Sequence, residues 1–319
     1  MNAKRVSKHL LTGLIAATSI SLFSGSLYAE YPSEPVSFVV PFPPGDLEDI
    51  TTRMIANDFQ EMYGTPAAVI NKPGGGGGAF PGAISVANAK ANGTTIGSFP
   101  MGIPIVGPQI GIPDLSPNPF EPISIYLTYP FVIASSKNAP YQNLEEMAEY
   151  GKKNKLILGH FGAPLIPSKV TFALAKKMEF EWGSEAAFDA LDCNTLASGD
   201  VDVMNTTLQL ILPCLDKVNV LASVTEERIN KIPDVRTVGE IFPELKIGLW
   251  NGIFVHKDTP QDIKDKIAMS VKKTVLSDQI KELSEKTGML AYWKGTEESE
   301  QTIEENAQTL ININNIIDN

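Results

Sequence analysis

Residues 36–64 read VSFVVPFPPGDLEDITTRMIANDFQEMYG, and the pattern in this stretch decides how the rest of the chain divides. Val36–Pro41 is a short run rich in Val and Phe with a proline at either side, the mark of a buried strand. From Asp49 to Tyr63 the apolar residues Ile50, Met54, Ile55, Phe59 and Met62 recur at helical spacing, and Gly64 supplies the stop. A strand running through a Pro-Gly turn into a helix is the opening unit of an α/β sheet.

Working outward, the same alternation continues. Ala67–Ile70 reads as a strand, residues 71–82 as a loop, residues 83–91 as a small-residue helix and Thr94–Ser98 as a third strand. The order β-α-β-α-β predicts parallel strands joined by right-handed crossovers. A second series begins near Tyr129. It has strands at Phe131–Ser135, Leu156–Gly159, Ala186–Phe188 and Val201–Met204, and helices at Asn143–Lys153, Ser168–Met178, Asp192–Ser198 and Leu208–Lys217. A strand at Trp250–Val255 and three amphipathic helical stretches complete the chain. The expected fold is α/β and two-lobed, each lobe a mainly parallel sheet flanked by helices. The first lobe takes residues 30–128 plus 249–319 and the second residues 129–248. Ligands of such sheets sit beyond the carboxyl ends of the strands, near helix N-termini. That directs attention to residues 43–49, 71–82, 160–168, 189–192 and 205–207.

The 319 residues are 43% apolar, 20% charged and 8% aromatic, the proportions of a globular protein rather than a disordered or polytopic membrane chain. Lys+Arg of 26 against Asp+Glu of 37 gives a net charge of −11, which argues against a nucleic-acid partner. Lys4, Arg5 and Lys8 followed by an apolar run from Leu10 to Phe23 read as a signal peptide, cleaved near Ala29, with an uncleaved N-terminal anchor as the alternative. The protein is therefore expected to be exported. An oxidising compartment permits a bridge between Cys193 and Cys214; two small buried thiols packed apart are the alternative.

Six strings then point to one family. VVPFPPGDLEDITTRMIA, from Val39, resembles the strand, PF-x-PGG-x-x-D and helix of the TctC/Bug-type substrate-binding proteins of tripartite tricarboxylate transporters. NKPGGGGGAFPGA, from Asn71, resembles NRPGAGG, and ANGTTIG, from Ala91, resembles PDGYTLL. GDVDVM, from Gly199, matches GxVDLMF; RINKIPDVRTVGE, from Arg228, is similar to RSPALPDVPTVAE; LWNGIFVHKDTP, from Leu249, is similar to SWFGLFAPAGTP. The resemblance runs from about Pro35 to the C-terminus with its motifs in order. It implies a periplasmic-binding-protein (Venus flytrap) fold that hinges shut on a small organic acid and delivers it to membrane permease subunits.

The candidate ligand-binding residues follow from the loops and the resemblance together. Pro44 and Gly45 form a tight turn, with Asp46, Leu47 and Asp49 beside it, and Asp49 is placed as an N-cap or first-turn residue whose neighbouring amides hold a carboxylate. Gly75, Gly76 and Gly77 offer an anion nest, with a flexible connection as the alternative, and Phe80 follows them. The second lobe contributes Phe161, Ala163, Leu165, Ser168, Asp192, Asn205 and Thr206; Asp192 is most simply a helix N-cap. Trp250 either stacks on ligand or packs at the hinge, for which residues 126–130 and 247–250 are the candidates. Three departures from the family bear on specificity. Asp46 replaces a glycine, with Glu48 close by; the two acids face solvent or recognise an ammonium or hydroxyl group. Phe161, Leu165, Ile166 and Pro167 replace small polar residues, and Thr206–Thr207 replaces Asp-Asn. The expected ligand is a mono- or dicarboxylate with an apolar or aromatic body, favoured over citrate because a third ionised group would meet apolar surface.

Enzyme readings fail on specifics. There is no GK[ST], G-x-S-x-G or H-E-x-x-H, and the spacing of Gly74, Gly76 and Ala79 fits G-x-G-x-x-A only as any glycine run would. No cofactor, metal or nucleic acid is expected, and the receptor is expected to be a monomer. A sensory receptor that presents its closed form to a membrane kinase is the alternative use of the same pocket.

Overall fold

The computed structural model describes residues 30–74, 79–188 and 190–319; the proposed signal peptide, Gly75–Gly78 and Asp189 lie outside them. Tyr31–Asn319 forms a compact unit. In chain order it contains β1 Val36–Val40, α1 Leu47–Tyr63, β2 Ala67–Asn71, α2 Phe80–Ala87, β3 Thr95–Pro100, α3 Gly102–Val106 and β4 Phe120–Thr128. The chain then crosses to β5 Phe131–Ser136, α4 Leu144–Gly151, β6 Ile157–His160, α5 Ile166–Lys177, β7 Ser184–Ala187, α6 Cys193–Ser198, β8 Val203–Thr207, α7 Leu208–Ile211, β9 Val218–Ser223 and α8 Val238–Ile241. It returns as β10 Trp250–His256, α9 Gln261–Val275, α10 Asp278–Thr287, β11 Leu290–Lys294 and α11 Thr296–Asp318.

These strands make two sheets, one of six strands in the order β11-β4-β10-β3-β1-β2 and one of five in the order β7-β6-β8-β5-β9. The β-α-β-α-β opening holds, since β1 pairs in parallel with both β2 and β3. The sheets are mixed rather than mainly parallel. Strand β10 runs antiparallel to β3 and β4, β11 antiparallel to β4, and β5 antiparallel to β8 and β9. The reason is connectivity: β4, β5 and β10 adjoin the segments that carry the chain from one sheet to the other, so they need no helical crossover and can run opposite to their neighbours.

Strands β4, β9 and β11 have no counterpart in the sequence reading. Strand β4 contains Glu121 and Pro122, and a mid-strand proline reads against a strand; the structure accommodates it with register shifts against β10 near Gly252 and Phe254. Helix α2 starts at Phe80 rather than residue 83, because Pro81 suits a first helical turn. The helix expected over 208–217 stops after Ile211, where Pro213 and the non-helical Cys214 tighten the chain.

One apolar cluster joins the two sheets, running from Val39, Phe99 and Ile125 to Ile133, Leu158 and Val203. Helix α11 belongs to that junction. Its Leu310 and Ile313 are buried in the cluster, its Ser299 hydroxyl accepts from the Ile125 amide of β4 at 2.8 Å, and its Asn314 accepts from Lys169 of α5 at 3.0 Å. Residues 296–318, expected with the first lobe, therefore also touch a helix that flanks the second sheet. Cys193 and Cys214 are bridged, with Cα atoms 5.9 Å apart.

Candidate functional site

The turn into α1 is built by its own acids. Asp46, in an extended conformation, is the N-cap and its side chain accepts from the Asp49 amide at 2.8 Å. Asp49 is a first-turn residue, not the cap. Its Oδ2 accepts from the Gly45 amide at 3.0 Å and from Arg53 Nε at 2.9 Å, and its Oδ1 accepts from Arg53 Nη2 and from Asn71 Nδ2 at 2.9 Å. Asn71 Nδ2 also donates to the Phe42 carbonyl, so Asp49 and Asn71 fasten the proline-rich loop to the end of β2. Burial pushes the Asp49 carboxyl up, but Arg53, Asn71 and the Gly45 amide outweigh it and hold the acid below the usual range. Two amides expected to be free for a ligand, those of Gly45 and Asp49, are thus engaged by Asp49 and Asp46.

Pro44, Gly45 and Asp46 remain exposed at this turn. Gly45 has φ of +103° with open space where a Cβ would stand, so its conformation, not crowding, calls for glycine. Desolvation raises the Asp46 acid, with the Asp49 charge adding to it against the helix amides that Asp46 caps. Leu47 turns inward among Ile280 and Met289 and offers no free surface.

Across the molecule, His160 ends β6 and accepts the Gly162 amide on Nδ1 at 3.0 Å, while its Nε2 pairs with Glu185. Ser168 is buried and donates to the Gly162 carbonyl at 2.7 Å, which shapes the loop before α5. Unlike α1, α5 has no side-chain cap: Leu165 stands at the N-cap and Pro167 in the first turn. No side chain among the described residues caps this helix start, which stands next to the predicted second-lobe loop. Phe161, Ala163 and Leu165 are half-buried there, and the Phe161 ring meets Phe131 edge-on at 6.2 Å. Phe80, also half-buried, packs on the junction cluster.

Four further candidates are committed to the chain's own structure. Asn205 donates to Thr171 Oγ1 at 2.5 Å and to the Pro167 carbonyl at 3.1 Å, and Thr206 donates to the Leu191 carbonyl at 2.6 Å. Asp192 caps α6 through the Asn194 and Thr195 amides. Trp250 is 1% exposed, donates to Asn306 of α11 at 2.7 Å and stacks on Phe254, so it packs the junction rather than presenting a face to a ligand.

The sequence reading left Glu48 between solvent and ligand, and it is neither exposed nor paired with a cation. Glu48 is wholly buried, its Oε2 accepts from Tyr129 Oη at 2.8 Å, and its Oε1 has no hydrogen-bond partner among the described residues. Tyr129 lies between β4 and β5 and also reaches Asn251 Oδ1 at 3.2 Å. Asn251 in turn donates to Ser98 at 2.8 Å and Tyr126 at 3.1 Å. Burial drives the Glu48 acid well above its usual range, and the Asp46 charge adds to it. Its position was legible, because the buried stripe of α1 runs Glu48, Thr51/Thr52, Ile55/Ala56, Phe59 and so passes through polar residues at helical spacing. The apolar-only pattern rotated the stripe toward Ile50, which is exposed.

A sequence model of the tripartite tricarboxylate transporter family receptor (TctC) matches residues 51–318. Among relatives, the Bordetella pertussis protein BugT is 24% identical over 274 residues, covering 79% of this chain and 81% of its own. Among solved structures, a Rhodopseudomonas palustris protein with adipate superposes with a TM-score of 0.77 at 20% identity, covering 90% of this chain and 98% of that one. MatC from the same organism, with bound malate, gives 0.68 at 23% identity, covering 90% and 99%. Both share the two-lobed fold.

Proposed function

Because this chain belongs to the TctC family of tripartite tricarboxylate transporter receptors, we propose that it is an exported receptor that closes two lobes on a small organic carboxylate and hands it to the membrane permease subunits. The match over residues 51–318 is the observation that carries this reading. The receptor binds and releases its ligand without transforming it. Adipate and malate in the fold relatives support a small carboxylate as the ligand.

The geometry supports a division of labour. The exposed Pro44–Asp46 turn supplies the wall of the first lobe, and the uncapped α5 N-terminus supplies amides and dipole for a carboxylate in the second. Phe161, Ala163 and Leu165 border that terminus with apolar surface, which favours a carbon skeleton and disfavours a third ionised group. Residues 126–130 and 247–250, which lead the chain between the sheets, are the hinges. Micromolar affinity asks for only about −8 kcal/mol, within reach of one anchored carboxylate and a partly buried chain. A thermal-shift screen of the mature protein with adipate, malate, aliphatic and aromatic monoacids and citrate tests the reading. Stabilisation by a mono- or dicarboxylate above that by citrate is expected; citrate outranking all of them contradicts the ligand class.

A further inference from the structure

We propose that Glu48 works as a neutral carboxylic acid and makes carboxylate capture by this chain depend on a bound proton. The inference rests on the carboxylate reading above and adds a residue that determines it.

The argument is one of hydrogen counting. Tyr129 has one hydroxyl proton and two acceptors within reach, Glu48 Oε2 and Asn251 Oδ1. Asn251 spends its amide protons on Ser98 and Tyr126, which leaves its Oδ1 dependent on Tyr129. An ionised Glu48 would take the Tyr129 proton, strand Asn251 Oδ1 and leave its own Oε1 bare in the interior. A protonated Glu48 donates to Tyr129 Oη, Tyr129 donates to Asn251, and only a carbonyl-type oxygen stays unpaired.

The surroundings agree. The charged groups that face Glu48 are the carboxylates of Asp46 and Asp49, both on its own helix turn. The segment between β4 and β5 contributes the Tyr129 phenol, β4 the Tyr126 phenol and β10 the Asn251 amide, while Ile280 and Met289 pack apolar surface against the same region. Arg53, the nearest cation in sequence, is taken by Asp49 and Asn71. Ionisation would therefore put a further negative charge on the first turn of α1, beside the turn that meets the ligand. It would also hold the Tyr129 hydroxyl on Glu48 and leave Asn251 Oδ1 without its donor.

The test uses infrared difference spectra of the ligand-free protein together with calorimetric titration of adipate and malate. Wild type should show a protonated-carboxyl stretch near neutral pH that is missing in Glu48→Gln. Wild-type affinity should fall roughly tenfold or more between about pH 6 and about pH 9, and that slope should vanish in Glu48→Gln. Absence of the band, or parallel pH profiles in the two proteins, overturns the proposal and leaves the carboxylate reading standing. A clear band with no binding of either acid at any pH overturns the carboxylate reading, and proton-linked capture with it.

Discussion

The Gly45 amide donates to Asp49 Oδ2 at 3.0 Å, so the turn leading into α1 is closed by a carboxylate from the first turn of that helix. The same carboxylate takes Asn71 at the end of β2 and Arg53 one turn on. An acid that looks available to a ligand in the sequence is instead the fastening between a strand end, a loop and a helix. That fastening sets the position of the exposed Pro44–Asp46 edge.

Asp49→Ala should therefore destabilise the fold by about 2–3 kcal/mol, because it leaves the Asn71 and Gly45 donors without their acceptor. Chemical denaturation measures it. The pH dependence has a definite sign: the Asp49 acid is lowered in the folded state, so its contribution is present above the ordinary aspartate range and is lost as pH falls through the lowered value. The alanine variant should lack that acid-side loss.

Gly45→Val should act through the backbone, since φ is +103° and nothing crowds the Cβ position. A loss of roughly 1–2 kcal/mol in stability is expected from placing a β-branched residue there. On the proposed site, which places this turn at its edge, ligand Kd should also rise by about tenfold, some 1.4 kcal/mol. An unchanged Kd would remove the turn from the site.

Reducing the Cys193–Cys214 bridge, or replacing both cysteines by serine, should lower stability by about 3 kcal/mol through release of a loop spanning 21 residues. A thiol assay and unfolding curves with and without reductant check it. Free thiols in protein prepared without reductant would contradict the pairing.

Trp250→Phe should lower stability by about 1–3 kcal/mol by stranding Asn306 Oδ1 between β10 and α11. Ligand affinity should hold, because the indole packs the junction of the sheets. An affinity loss with stability preserved would return Trp250 to the ligand.

What the sequence made legible was periodic and local. The α1 helix, its Gly64 stop and the parallel β1–β3 unit follow from apolar spacing and turn chemistry, and the structure keeps them. Strand β4 was hidden by Pro122 and Glu121, whose effect only the paired β10 can absorb. The reading left Asp49 between cap and first turn because Asp46, Glu48 and Asp49 crowd one helix start; backbone geometry shows that Asp46 is the extended cap and Asp49 the first-turn residue. The disulfide stayed open because a spacing of 21 residues says nothing about Cβ direction. The weight of Glu48 was invisible for a physical reason. The stripe of α1 marks its burial, but its partners come from β4, β10 and the crossing segment, and only the fold assembles them around it.

The central claim, that this chain is a receptor for small carboxylates, is tested most directly by calorimetric titration of the purified protein with adipate, malate and the uncharged diamide of adipate. Saturable one-to-one binding of at least one of the two acids, with no heat from the diamide, is the predicted result. Equal binding of acid and diamide, or no binding of either acid across the range of about pH 5 to about pH 8, would contradict it.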